Sequence, residues 1–182
     1  GIAMLIVAAL NLHNVRPLEW LVIPATWLVG NAFEWRVHKH VLHKRSWPFE
    51  VVFEKHTPMH HGIYIEHDMA IHDPREFRLV LIPAAGVLGI ILFVAPLAYL
   101  FSLLFGANAG WLLLVTSGVN MVVYELSHLS YHLHESHFIS RNPIIKVLRR
   151  HHAKHHDPHL MQKWNFNVTV PLFDWIMGTI AP

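Results

Sequence analysis

Histidine placement constrains this chain more than any other feature. Of 18 histidines in 182 residues, eight lie between His38 and His72, nine between His128 and His159, and only His13 stands apart. None occurs from Asp73 to Glu125, and most of that interval is apolar. The chain is thus organised as two imidazole-rich stretches flanking a long apolar one.

Four groups recur near expected helix ends: His38 and His43 in HKHVLH, His56, His60 and His61 in HTPMHH, His128 and His132 in HLSYH, and His152, His155 and His156 in HAKHH. Residues three or four apart share one face of a helix, so His128 and His132 aim at one point, as does His152 with either His155 or His156. Neutral imidazole is a good ligand for iron, zinc, copper and nickel. A single H-x-x-x-H pair is a weak signal, but four groups on one side of a bundle are not. Ten imidazoles exceed what one ion can hold and suffice for two ions with about five ligands each. Other metal designs fit worse. Ferritin-like bundles need two Glu-x-x-His motifs, and this chain has one, Glu125 to His128. The H-E-x-x-H protease signature is absent.

The chain is 53% hydrophobic and 14% charged, with a mean hydropathy of +0.34, where soluble domains carry about 25% charge. That deficit points to lipid. The absence of cysteine excludes disulfides, thiolate metal sites and a thiol nucleophile. The net charge of +2, with no basic tract, gives no reason to expect nucleic acid.

The expectation is one all-α domain over 1–182, an integral-membrane helical bundle of about four transmembrane helices with a histidine-rich helical cap. Residues 1–12 form a short apolar run, either the end of a truncated helix or a partial crossing, without the basic start or cleavage site of a signal peptide. A helix over 18–43 would measure about 39 Å at about 1.5 Å per residue. It would cross a hydrocarbon core of about 30 Å and project its histidine end beyond it. Further spans are expected over 79–105, with kinks at Pro83 and Pro96, and over 108–133, joined by an uncharged linker from Gly106 to Gly110. Residues 44–78 and 134–182 form the cap. Of the 14 lysines and arginines, only Arg16 lies on the side of the short linkers. The positive-inside rule therefore puts the histidines on the cytoplasmic side.

The stretches EWRVHKHVLH, the His60–His61 doublet followed by DPREFRLVLIP, YELSHLSYHLH, and RRHHAKHH followed by NFNVTVPLFDWIMGT together resemble the fatty acid hydroxylase / sterol desaturase superfamily of integral-membrane di-iron enzymes. The resemblance covers roughly Gly30 to Thr179. In the second stretch the spacing from His56 to His60 is one residue wider than is usual in lipid hydroxylases. The resemblance implies an enzyme, a non-haem di-iron monooxygenase that uses O2 and two electrons to hydroxylate a lipid C–H bond, a fatty acyl chain first. A carotenoid or sterol ring, or desaturation, is the alternative within the same scaffold. It implies two Fe ions on the ten histidines, with Zn able to replace them in an isolated sample, and no catalytic side chain beyond the metal ligands. It also implies a separate electron donor of cytochrome b5, ferredoxin or reductase type. Carboxylates should receive the outer imidazole N–H groups and fix the rings. Glu34, Glu125 and Asp157 are the expected ones, Asp73 and Asp174 the weaker, with His72 and His159 as spare ligands. In a different class stands a histidine-rich membrane metal transporter or sensor. The near absence of ionisable residues between Leu79 and Val123 argues against a transport path.

Overall fold

The computed structural model describes residues 2–182; Gly1, within the expected first span, lies outside them. Among the described residues the protein is all-helical, without a β-strand; Ile65 and Asp68 form one isolated antiparallel bridge. The helices are α1 (Ile2–Leu10), α2 (Val22–Val37), α3 (Glu50–Glu54), α4 (His61–Ile63), α5 (Phe77–Val80), α6 (Ala84–Phe105), α7 (Ala107–Tyr131), α8 (Pro143–His155) and α9 (Leu172–Ile176). Two π-helical segments, His38–Leu42 and Lys55–His60, carry histidines of the first two groups. The chain divides into two compact units, Gly1–Gly30 with Ile82–Val123, and Asn31–Leu81 with Tyr124–Pro182.

The first unit is built on the hairpin of α6 and the first part of α7. Gly106 alone turns it, at φ 97°, a conformation that costs a glycine little because it has no Cβ. The expected five-residue linker therefore contracts to one residue, and α7 starts at Ala107. The two helices pack closely, since a Cβ on Gly110 would lie 2.5 Å from the Ala98 carbonyl oxygen. Small residues permit such an approach between apolar helices. Asn108 closes the turn by accepting the His13 backbone N–H at 3.1 Å and donating to the His13 carbonyl at 2.8 Å.

Two segments, Pro74–Phe105 and Ala107–Tyr131, are long and apolar enough to cross a membrane. Leu88, Leu92, Leu100, Leu103 and Leu104 on α6 point outward and are exposed. Two expected spans differ from the sequence reading. That over 18–43 is three pieces, a 3₁₀ turn at Glu19–Leu21, the 16-residue α2, and the π segment. At about 1.5 Å per residue, α2 alone measures about 24 Å, short of the hydrocarbon thickness. That over 79–105 breaks at Leu81, which is extended, and restarts at Ala84. Pro83 cannot donate a helical hydrogen bond and disfavours helix before it, so it opens α6 instead of kinking it. Pro96 does lie inside α6.

The second unit packs Tyr64, Met69 and Val80 into a small apolar core, with Leu129 and Ala153 against it. Asn142 starts α8 by accepting the N–H of Ile144 at 2.9 Å, with Pro143 in the first helical position. The Tyr131 hydroxyl donates to the Val168 carbonyl at 2.9 Å and ties the end of α7 to the C-terminal segment.

A candidate metal centre of two histidine groups

All ten histidines singled out above converge, and they sort into two groups of five. His38, His43, His56, His61 and His155 form one; His60, His128, His132, His152 and His156 form the other. In each group the potential ligand nitrogens lie within 4.8 Å of one another. Both groups belong to the second unit.

Local helix geometry decides the sorting. In the second group, His128 in the last turn of α7 with His132 just past it, and His152 with His156 at the end of α8, are four apart, the α-helical spacing that aligns side chains. In the first group, His38 with His43 and His56 with His61 are five apart, which an α-helix would splay. The π turns correct this: the His43 N–H bonds the His38 carbonyl, and the His61 N–H bonds the His56 carbonyl. Such five-residue turns are typical of functional sites. The doublets His60–His61 and His155–His156 each send one ring to each group, and the His61 and His156 rings stack at 4.1 Å between centroids. His152 therefore pairs with His156, and His155 goes to the other group.

Backbone carbonyls orient the rings. The Nδ1–H of His155 donates to Trp164 at 2.8 Å, that of His156 to Tyr64 at 2.7 Å, that of His132 to Met69 at 2.8 Å and that of His128 to Val80 at 2.9 Å. His38 donates likewise to Phe166. A carbonyl can only accept, so each of these rings carries its proton on Nδ1 and presents a bare Nε2 lone pair. His43 follows by another route. Thr57 spends its hydroxyl hydrogen on the Leu42 carbonyl at 2.7 Å, so it accepts from His43 Nδ1 at 3.3 Å. The Nε2 atoms of His43 and His155 then face each other at 2.9 Å with no hydrogen between them. Two lone pairs at that distance repel unless a cation lies between them.

The remaining geometry fits the same need. Nε2 atoms approach at 3.0 Å between His38 and His56, 3.1 Å between His56 and His61, 3.3 Å between His56 and His43, and 3.1 Å between His152 and His156. Two imidazole nitrogens each about 2.1 Å from one ion and at right angles to each other are about 3.0 Å apart. Both nitrogens of His60, and Nε2 of His128 and His132, are buried without a partner. Leaving such groups unsatisfied is costly. Burial, reinforced by neighbouring histidines, holds His56, His60, His61, His152 and His155 well below the usual imidazole range. Burial brings His156 down to about 3. The rings are thus neutral and ready to bind, and each group could hold a metal ion. With nitrogen donors alone, the sites suit iron, zinc, copper or nickel over calcium or magnesium.

The carboxylates fall differently from expectation. Glu34 accepts from the backbone N–H groups of Val168 and Thr169 and from the Thr169 hydroxyl, not from an imidazole. Asp157 accepts the His159 N–H, and Asp73 caps the turn at Pro74 and pairs with Arg75. Glu125 is half-buried on α7, three residues before His128. His72 pairs with Asp68, and His159 is exposed, so both stand outside the groups. Asp174, the weaker candidate, is fully buried and accepts from Phe166 N, Asn167 N, the Thr179 hydroxyl and His151. The carbonyls of Tyr64, Met69, Val80, Trp164 and Phe166, and the Thr57 hydroxyl, were not legible in the sequence, because any residue type supplies a carbonyl.

Comparison with known protein families, curated proteins and solved structures finds no match to the chain.

Proposed function

We propose that this protein is an O2-dependent membrane oxygenase that hydroxylates a C–H bond of a lipid, a fatty acyl chain in the first instance, with one iron ion in each histidine group. The observation that carries the reading is the pair of adjoining all-nitrogen cages, with the His43 and His155 lone pairs opposed at 2.9 Å. Two ions held in adjoining groups would serve a reaction needing more than one redox equivalent, whereas transport or sensing needs only one reversible site. The family resemblance in the four histidine stretches supports the same reading.

Bound iron would supply the redox chemistry that activates O2; the substrate gains one oxygen atom as a hydroxyl, and the other leaves as water with two electrons and two protons. The protein's own residues do the rest. His38, His43, His56, His61 and His155 would hold one ion, and His60, His128, His132, His152 and His156 the other. The carbonyls behind His38, His128, His132, His155 and His156 fix the direction of those rings and keep their Nε2 atoms unprotonated. Burial of the cages keeps bulk water from the reacting centre. The two long apolar helices, together with Ile2–Leu10 and α2, anchor the chain in the bilayer, so an acyl chain can approach from lipid. The distribution of lysine and arginine supports a cytoplasmic position for the histidines, within reach of a separate electron donor.

The test is lipid analysis of cells with and without the gene, with and without oxygen, beside metal analysis of the purified protein. Two tightly held ions and a hydroxylated lipid that depends on both gene and oxygen are expected. Loosely bound, exchangeable metal with an unchanged lipid profile would replace the oxygenase with a metal transporter or sensor.

A further inference from the structure

A second cavity in the same unit, of about 370 Å³, is lined by Arg141, Lys146, Arg149 and Arg150 and by Met69 and Ala153, with Glu66 and Glu135 at its walls. Four cations thus face two carboxylates. Only Arg149 is engaged, with Glu135 at 4.0 Å. Among the described residues Arg141, Lys146 and Arg150 have no carboxylate partner, and all three are exposed. Four cations against Glu66 and Glu135 leave the concavity net positive.

The floor of this cavity leads to the metal centre. Met69 is buried, and its carbonyl accepts the Nδ1–H of His132 at 2.8 Å. Ala153 directly follows His152 in α8. One hydrogen bond on one side and one peptide bond on the other therefore connect the cavity wall to ligands of the group containing His60. The cavity lined by Ile71, His72, Phe77 and His137 lacks this concentration of positive charge.

The geometry points to this basic cavity as the docking site of an acidic, one-electron carrier protein, whose electrons enter through Met69 and His132. The inference rests on the oxygenase reading, which requires two electrons per O2 and so two carrier encounters per turnover. Opposite charge steers such brief encounters and speeds association more than it tightens the final complex, and electron-transfer interfaces are characteristically small.

The experiment uses the full chain in nanodiscs and two acidic probes, a [2Fe–2S] ferredoxin and a soluble cytochrome b5. At low ionic strength at least one should bind. The Lys146→Glu/Arg150→Glu double variant should weaken that binding about tenfold, the Lys146→Gln/Arg150→Gln variant less, and the differences should shrink in high salt. Metal content and product formation driven by dithionite should stay unchanged in both variants. Equal binding by wild type and both variants would overturn the assignment, as would no binding of either probe. Reduced binding to phosphatidylglycerol vesicles with donor binding intact would make the cavity a lipid-headgroup site instead. Wild-type protein without bound metal or dithionite-driven product would sink the oxygenase reading itself, whatever the probes do.

Discussion

Asp174 and His38 grip opposite sides of one peptide unit. The Asp174 Oδ2 accepts the Asn167 N–H at 2.7 Å, and the Phe166 carbonyl of that same peptide receives the Nδ1–H of His38. The buried carboxylate thus acts on an imidazole it never touches. It also pins Phe166 N at 2.9 Å, in the segment whose Trp164 carbonyl orients His155. The rings of the other group lean on Val80, Met69 and Tyr64 instead.

Asp174→Asn should therefore unload the two groups unequally. Loss of a supporting partner behind a metal ligand costs about 10–100-fold in affinity. Metal per protein after dialysis should fall from two toward one, with the ion of the His38 group lost first. Equal loss of both ions, with unfolding, would show Asp174 to be a general fold support only.

Removing a single ring should separate metal binding from insertion. His128→Ala and His155→Ala each take one ligand from a different group. Each variant should lose the oxygen-dependent lipid product while still inserting in the membrane, and each should retain the ion of the untouched group better than its own. Product at the wild-type level in either variant would remove that residue from the site.

Acid should destabilise the metal-free protein. Burial holds His56, His60, His61, His152 and His155 below their ordinary range and His156 at about 3. In the unfolded chain these rings take protons near pH 6.5; in the folded chain they do not. The unfolded state then binds more protons, so stability is greatest above about pH 6.5 and falls as the pH drops toward the folded values. Circular dichroism of chelator-treated protein should show unfolding in mild acid, and metal-loaded protein should resist to lower pH. A chelated sample as stable at about pH 5 as at neutrality would contradict this.

Two glycines in the first unit should respond unequally to one added methyl group. At Gly110 it would meet the Ala98 carbonyl oxygen at 2.5 Å, a backbone atom that cannot swing aside. At Gly30 it would meet Asn120 Nδ2 at 2.7 Å, the end of a movable side chain. Gly110→Ala should cost about 1–3 kcal/mol, the usual range for overpacking, whereas Gly30→Ala should be nearly neutral. Unfolding in detergent measures both.

The ten histidines were legible because imidazole is chemically specific and its recurrence every few residues is conspicuous. Their division between the groups was not, because the α-helical rule of three and four fails where the backbone makes a π turn. That rule left His152 free to pair with His155 or His156 and gave no reason to align His38 with His43. Helix α7 was clear from its apolar run, while the break at Leu81 and the shortening of the second span to α2 depend on Pro83 and on the π segment. Asp174 stood out less than Glu34 because it lies far along the chain from the ligands it supports. Apart from the Thr57 hydroxyl, the oxygen atoms that hold the rings belong to the main chain and leave no mark in composition.

The two π turns take up chain length without turning a ligand aside. Each stores one residue beyond the ordinary helical count between paired ligands, at His38–His43 and at His56–His61. Excising Lys39 or Thr57 would leave the paired ligands four apart, the count an ordinary α-turn aligns, so the rings of each pair would still share one face. Exchanging either residue for another would leave the register intact. A single codon lost from either turn is thus a change in length that the paired ligands can absorb.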